Sequence, residues 1–252
     1  MIDKSFFEDK CILITGGSSG IGRATAIALS KAGARVAIVA RNKERMLDTI
    51  SMMDDSKKHL FIAYDLSDLT NYGTVFNELK REGFILDGLV HCAGVSRVLP
   101  LRALSLGNMT EIFNIHFFSF LELVKWYAKK GVSNGGSIVG ISAINAHVPQ
   151  KCMTVYSSSK AAVECACRSL ALELVEKNIR INSVVVGGIK TEMSEVTGGQ
   201  INSIKSDYVN PVSRQILGIG SADSIVGAIR FLLSEDSSFI TGREIYADGG
   251  LL

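Results

Sequence analysis

The feature that most narrows the fold is a regular alternation of short apolar runs with longer amphipathic stretches along the 252-residue chain. Strand-like runs fall at residues 11–15, 35–40, 59–63, 86–92, 137–142, 179–186 and 244–247. Helix-like stretches lie between them at 21–32, 43–53, 69–82, 108–130, 157–177 and 222–234. That succession predicts an α/β fold, a doubly wound parallel sheet of about seven strands with helices on both faces. Ile12-Leu13-Ile14 and Val36-Ala37-Ile38-Val39 are apolar at consecutive positions, the pattern of strands buried on both sides. No repeat or low-complexity linker interrupts the alternation, so one domain over residues 1–252 is expected. Residues 191–210 carry Gly198-Gly199 and little apolar period. They read as a long loop that could lie as a lid over the carboxyl ends of the strands.

Charge excludes several function classes. Lys and Arg (27) nearly balance Asp and Glu (25), and the net charge of +2 makes nucleic acid an unsuitable main partner. No apolar run reaches the roughly 18 residues of a spanning helix, and the charged start Met1-Ile2-Asp3-Lys4 does not resemble a secretory leader. A cytoplasmic protein is expected. Five scattered cysteines without C-x-x-C spacing suit neither a disulfide framework nor a structural metal.

Thr15-Gly16-Gly17-Ser18-Ser19-Gly20-Ile21-Gly22 links the first strand to the first helix. Glycines there permit a tight turn and let backbone N–H groups approach a pyrophosphate at the positive end of a helix. Gly16, Ser18, Ser19, Gly20, Ile21 and Gly22 are therefore candidate dinucleotide contacts. The same residues also fit G-x-S-x-G, a hydrolase elbow with Ser18 as nucleophile. None of His59, His91, His116 and His147 stands in a strand-end loop late in the chain, where that chemistry needs its base. The second strand ends at Ala40-Arg41, where a carboxylate would hold a ribose 2′-OH and an arginine would accept a 2′-phosphate. Arg41 therefore favours NADP(H) over NAD(H).

Tyr156-Ser157-Ser158-Ser159-Lys160 opens a long helix and sets Tyr156 and Lys160 on one face. An ammonium and a cationic nicotinamide would draw the phenol down from its reference value near 10. Reaching about 7 takes roughly 4 kcal/mol. With the glycine turn about 140 residues earlier, the chain resembles the short-chain dehydrogenase/reductase family, a Rossmann-like fold, over essentially its whole length. The resemblance implies Tyr156 as general acid/base and Lys160 as its partner on the nicotinamide ribose. It also implies Asn114 as support for a proton relay. Asp65-Leu66 would contact adenine, and Cys92, Ala93 and Gly94 stand in His91-Cys92-Ala93-Gly94, where the family has Asn-Asn-Ala-Gly. Ile189 and Thr191, in Val186-Gly187-Gly188-Ile189-Lys190-Thr191, would meet the nicotinamide amide. Valine replaces the family's proline there, which predicts a less rigid turn.

One departure bears on rate. The family's catalytic serine lies 13 positions before the tyrosine, and that position is Ala143. Ser142 is its nearest substitute, but a one-residue slip on a strand reverses the side chain. Asn145, His147 and Thr154 are further polar candidates. The reading is an NADP(H)-dependent oxidoreductase acting on a medium-sized ketone or secondary alcohol; the alternative is a catalytically impaired NADP(H)-binding relative serving as a sensing or interaction subunit. Segments 95–104, 145–153 and 191–210 would wall the substrate, with Arg97 or Lys151 placed to meet an acidic group. Family likeness implies a homo-oligomer, a tetramer or dimer, through the helices at 108–130 and 157–177, whose Ile112, Phe113, Phe117, Phe118, Leu121 and Trp126 are too many for one buried face.

Overall fold

Parallel strands buried on both faces form the centre of the computed structural model, which describes residues 4–203 and 211–252. The strands are β1 (Cys11–Thr15), β2 (Arg35–Ala40), β3 (Leu60–Ala63), β4 (Leu86–His91), β5 (Ser133–Ala143), β6 (Ile179–Val186) and, last in the sheet, β9 (Glu244–Ala247). They pair in the order β3-β2-β1-β4-β5-β6-β9, every pair parallel. A short parallel pair, β7 (Ile189–Lys190) with β8 (Gly220–Ser221), lies outside this sheet.

The helices are α1 (Gly20–Ser30), α2 (Lys43–Ser51), α3 (Gly73–Arg81), α4 (Leu106–Phe113), α5 (Ser119–Tyr127), α6 (Thr154–Leu174), α7 (Glu192–Ser203) and α8 (Asp223–Leu233). Cys11 and Leu13 face one apolar core with Val75 of α3, Phe120 of α5 and Val163 of α6. Ile12 and Ile14 face the other, with Leu29 of α1, Met46 of α2 and Ile229 of α8. The period-two alternation of a strand thus feeds two cores at once, which is why consecutive positions are apolar. No described helix is long and apolar enough to cross a membrane.

Three expectations are corrected. The stretch 108–130 is not one helix. A π turn, Asn114–Phe118, separates α4 from α5, and such turns insert an extra residue that rotates the following side chains. Its aromatic surplus is partly internal: Trp126 stacks on Phe76 at 5.3 Å, while Phe118 remains 41% exposed. The expected loop at 191–210 is helical over Glu192–Ser203, and residues 204–210 lie outside the described residues. The strand expected at 137–142 runs from Ser133 to Ala143, because Gly135 and Gly136 carry it close beside β4 and the chain before β6.

That approach is tight. A Cβ on Gly136 would stand 2.1 Å from the Asp87 carbonyl oxygen, and the buried Tyr127 hydroxyl donates to Gly135 O at 2.8 Å. Tyr127→Phe leaves that carbonyl without its donor and should destabilise the fold by about 1–2 kcal/mol. The check is a lower urea midpoint with an unchanged m-value.

Candidate active site

The strand order reverses between β1 and β4, so the loops after these strands diverge and leave a crevice at their carboxyl ends. A cavity of about 1070 Å³ opens there. Gly16, Ser18, Ser19, Gly20, Ile21 and Gly22 form its floor with Cys92, Ala93 and Gly94. Arg41, Asp65 and Leu66 line one end; Tyr156, Lys160, Ile189 and Thr191 line the other. The turn leaves no room for side chains where the backbones converge. Gly16 has φ +68° and a Cβ there would meet Ala93 N at 2.9 Å, while one on Gly22 would meet Gly16 O at 2.4 Å. The residues present therefore fit a dinucleotide, with backbone amides and the start of α1 bared toward the phosphates.

The ends of β1 and β4 are joined by an imidazole rather than by the amide the family resemblance implied. His91 is fully buried; its Nδ1 accepts from Thr15 Oγ1 at 2.9 Å and its Nε2 donates to Ile115 O at 3.2 Å. Thr15 Oγ1 also accepts from Ala93 N at 3.2 Å. Burial, with Lys160 nearby, pushes His91 down to about 3, so it is a neutral strut.

Asn114 does not line the cavity; its amide donates to Ser67 O at 3.5 Å, while its neighbours in the π turn, Ile115 and His116, do line it. His116 Nε2 accepts from Val95 N at 2.9 Å, so its Nδ1 carries the proton to Ser159 Oγ at 2.7 Å. Its ring meets that of Tyr156 edge-on at 5.4 Å. Burial, then the charge of Lys160, holds His116 well below the usual histidine range. A lone histidine within the apolar run Phe113–Phe120 was the one sequence sign of this role; the π register that aims it was not legible.

Tyr156 and Lys160 share the cavity-facing side of α6, but the electrostatics differ from expectation. Burial pushes the phenol up to about 12. It also pushes Lys160 down to about 8, opposed by Cys92 and Glu164. The ammonium donates to Ile141 O at 2.8 Å and lies 5.9 Å from the centre of the Tyr156 ring. Bringing this phenol to about 7 would take roughly 7 kcal/mol rather than 4.

Ser142 and Ala143 both line the cavity, and the Ser142 hydroxyl is committed to the Glu164 carboxylate. Alternation along the strand sets the two side chains on opposite faces. His147 pairs with Glu164 and Tyr246, and Thr154 is exposed. Asn145 remains on the wall with its amide donating to Gln150 Oε1 at 3.0 Å, near Ser96, whose buried hydroxyl has no partner among the described residues.

At the far end Arg41 is exposed and forms no ion pair with a described residue, while Arg45 is paired with Glu192 at the start of α7. The turn after β6 is braced despite its missing proline: Gln215, buried, accepts from Gly188 N and donates to Gly218 O at 2.7 Å. Arg97 is paired with Glu111 at 2.7 Å, and neither it nor Lys151 lines the cavity, which corrects the expected anchor for an acidic substrate. All four histidines bond elsewhere than to Ser18, so a serine-hydrolase relay has no base.

Known proteins resemble this chain. A family profile described as enoyl-(acyl carrier protein) reductase matches residues 16–252. A glucose 1-dehydrogenase of Gluconobacter oxydans is 30% identical over 256 residues, covering 98% of this chain and 94% of that one. An L-xylulose reductase of Caenorhabditis elegans is 32% identical over 247 residues, covering 97% and 96%. The solved structure of a 4-hydroxyisoleucine dehydrogenase complexed with NADH matches with a TM-score of 0.84 at 27% identity, covering 96% of this chain and 98% of that one.

Gly22→Ala tests the floor of the cavity. The added methyl must push Gly16 O aside, so dinucleotide affinity by nicotinamide fluorescence should fall by about tenfold or more. An affinity equal to that of the unaltered protein would show that the turn does not hold the phosphates.

Proposed function

The chain belongs to the short-chain dehydrogenase/reductase family, an oxidoreductase family that binds nicotinamide dinucleotides, and from that premise we propose that it is an NADP(H)-dependent enzyme interconverting a ketone and a secondary alcohol. The observation that carries the reading is that Tyr156 and Lys160 line the same cavity as the glycine turn and Arg41, which forms no ion pair with a described residue. The dinucleotide, when bound, supplies or accepts the hydride. Gly16, Ser19, Gly20 and Ile21 hold its phosphates, Asp65 and Leu66 its adenine, and Ile189 and Thr191 its amide. Arg41, with Arg45 beside it, takes the 2′-phosphate as a charge-assisted contact.

Tyr156 donates the proton to the substrate oxygen in reduction and removes it in oxidation. A phenol raised to about 12 is fully protonated at neutral pH, the form that donates in reduction. Lys160 binds the nicotinamide ribose and steadies the phenolate left behind. The outer wall, with Ile144, Asn145, Gln150 and Met153, suits an uncharged carbonyl compound. Exposed Phe118, Leu172 and Val175 on the π turn, on α6 and just beyond it support assembly with further copies of the chain.

Titration with NADPH and NADH tests the cofactor. Arg41→Ala should weaken NADPH by about tenfold and leave NADH nearly unchanged; tighter NADH binding by the unaltered protein would overturn the assignment. With a panel of small ketones, Tyr156→Phe should abolish turnover without loss of NADPH binding, and unaffected turnover would end the proposed chemistry. Ala143→Ser places a donor on the wall and should raise kcat by about tenfold or more. Alcohol oxidation should climb with pH without levelling off up to about 10, because the phenolate fraction of a group raised to about 12 is still growing there, while reduction should not.

A further inference from the structure

Glu164 lies one helical turn beyond Lys160 on α6 and packs behind the end of β5. Its side chain is only 4% exposed, so an unsupported negative charge there would be strongly disfavoured. Its two oxygens are held separately. Oε1 accepts the Ser142 hydroxyl, and Oε2 lies 3.0 Å from His147 Nε2. Ser142 Oγ is also 3.3 Å from Lys160 O, and the carbonyl of the preceding β5 residue, Ile141 O, seats the Lys160 ammonium at 2.8 Å. The end of β5 is thus tied on one side to a carboxylate and on the other to an ammonium, both from one face of α6.

The charged surroundings of Glu164 come from three elements. On α6 they are Lys160, Cys167 and Arg168, the last paired with Glu244. On and beside β9 they are Glu244, Tyr246 and Asp248, with the Tyr246 hydroxyl 3.3 Å from His147 Nε2. The loop after β5 contributes His147. Of these, Lys160 is the cation that the proposed chemistry uses, and Glu164 opposes the loss of its charge on burial.

We propose that Glu164 is a positioning residue: through Ser142 it fixes the strand end whose Ile141 carbonyl seats Lys160, and its charge balances that ammonium one turn away. The inference rests on the reading that Lys160 holds the nicotinamide ribose. The test is NADPH affinity by fluorescence from about pH 7 to about pH 10, which needs no substrate. In the unaltered protein affinity should fall as Lys160 loses its proton, around pH 8. Removing the negative charge lowers that value further, so in Glu164→Gln the fall should begin about one pH unit lower. Lys160→Gln should show no such fall.

A fall that stays in place in Glu164→Gln overturns the role of Glu164 while leaving the Lys160 reading intact. A fall that persists in Lys160→Gln, or a flat profile in the unaltered protein, overturns the Lys160 reading and this inference with it. If Glu164→Gln does not fold, Glu164→Asp keeps the charge and withdraws it from Ser142. Its fall should stay near the original pH with affinity severalfold weaker throughout, and an affinity equal to that of the unaltered protein would overturn the tether.

Discussion

The buried hydrogen bond between Thr15 at the end of β1 and His91 at the end of β4 is the contact on which the rest of the site depends. These two strands flank the reversal in strand order, where a parallel sheet opens a crevice. Thr15 Oγ1 takes the amide of Ala93, and His91 reaches the Ile115 carbonyl within the π turn. One neutral imidazole therefore fixes the start of the glycine turn, the loop after β4 and the helix beside them. Without it, three backbone segments with unpaired polar groups would meet in a buried space, at about 1–3 kcal/mol for each orphaned group.

The same burial sets the chemistry. Taking Tyr156 and Lys160 out of water opposes the charged form of each, raising the phenol and lowering the ammonium. Their proximity on α6 does not reverse this, because Lys160 points to Ile141 O rather than to the phenol. A protein with a hydroxyl at position 143 would have a further donor for a developing oxyanion. Here that wall is a methyl group, and the neighbouring hydroxyl supports a buried carboxylate behind the strand. The polar groups bordering the proposed substrate space include the amides of Asn145 and Gln150 and the Ser96 hydroxyl.

Contacts between distant segments also brace the outer side of the cavity. Glu192 on α7 pairs with Arg45 on α2, and Gln215 braces the turn after β6 through Gly188. The first is a half-exposed pair of modest strength, readily exchanged for a phosphate. The second is a buried amide that supplies, from another part of the chain, the rigidity that a proline would have built in locally.

The fold was legible because both-face burial writes itself as consecutive apolar residues, and the order of elements then leaves a parallel sheet as the outcome. The glycine turn, Tyr156 with Lys160, and the absence of a serine at position 143 were legible for the same reason: each is a local spacing along one strand, turn or helix. What the sequence could not convey was anything set by rotation or distance between elements. Within the π turn His116 lines the cavity and Asn114 does not, a register that no residue type at 114–118 announces. The direction of the Tyr156 shift followed from burial, and the roles of Glu164, Arg45 and Gln215 follow from partners 22, 147 and 27 residues away. Periodicity and local spacing are properties of the chain itself; desolvation and long-range pairing exist only once the chain has closed on itself.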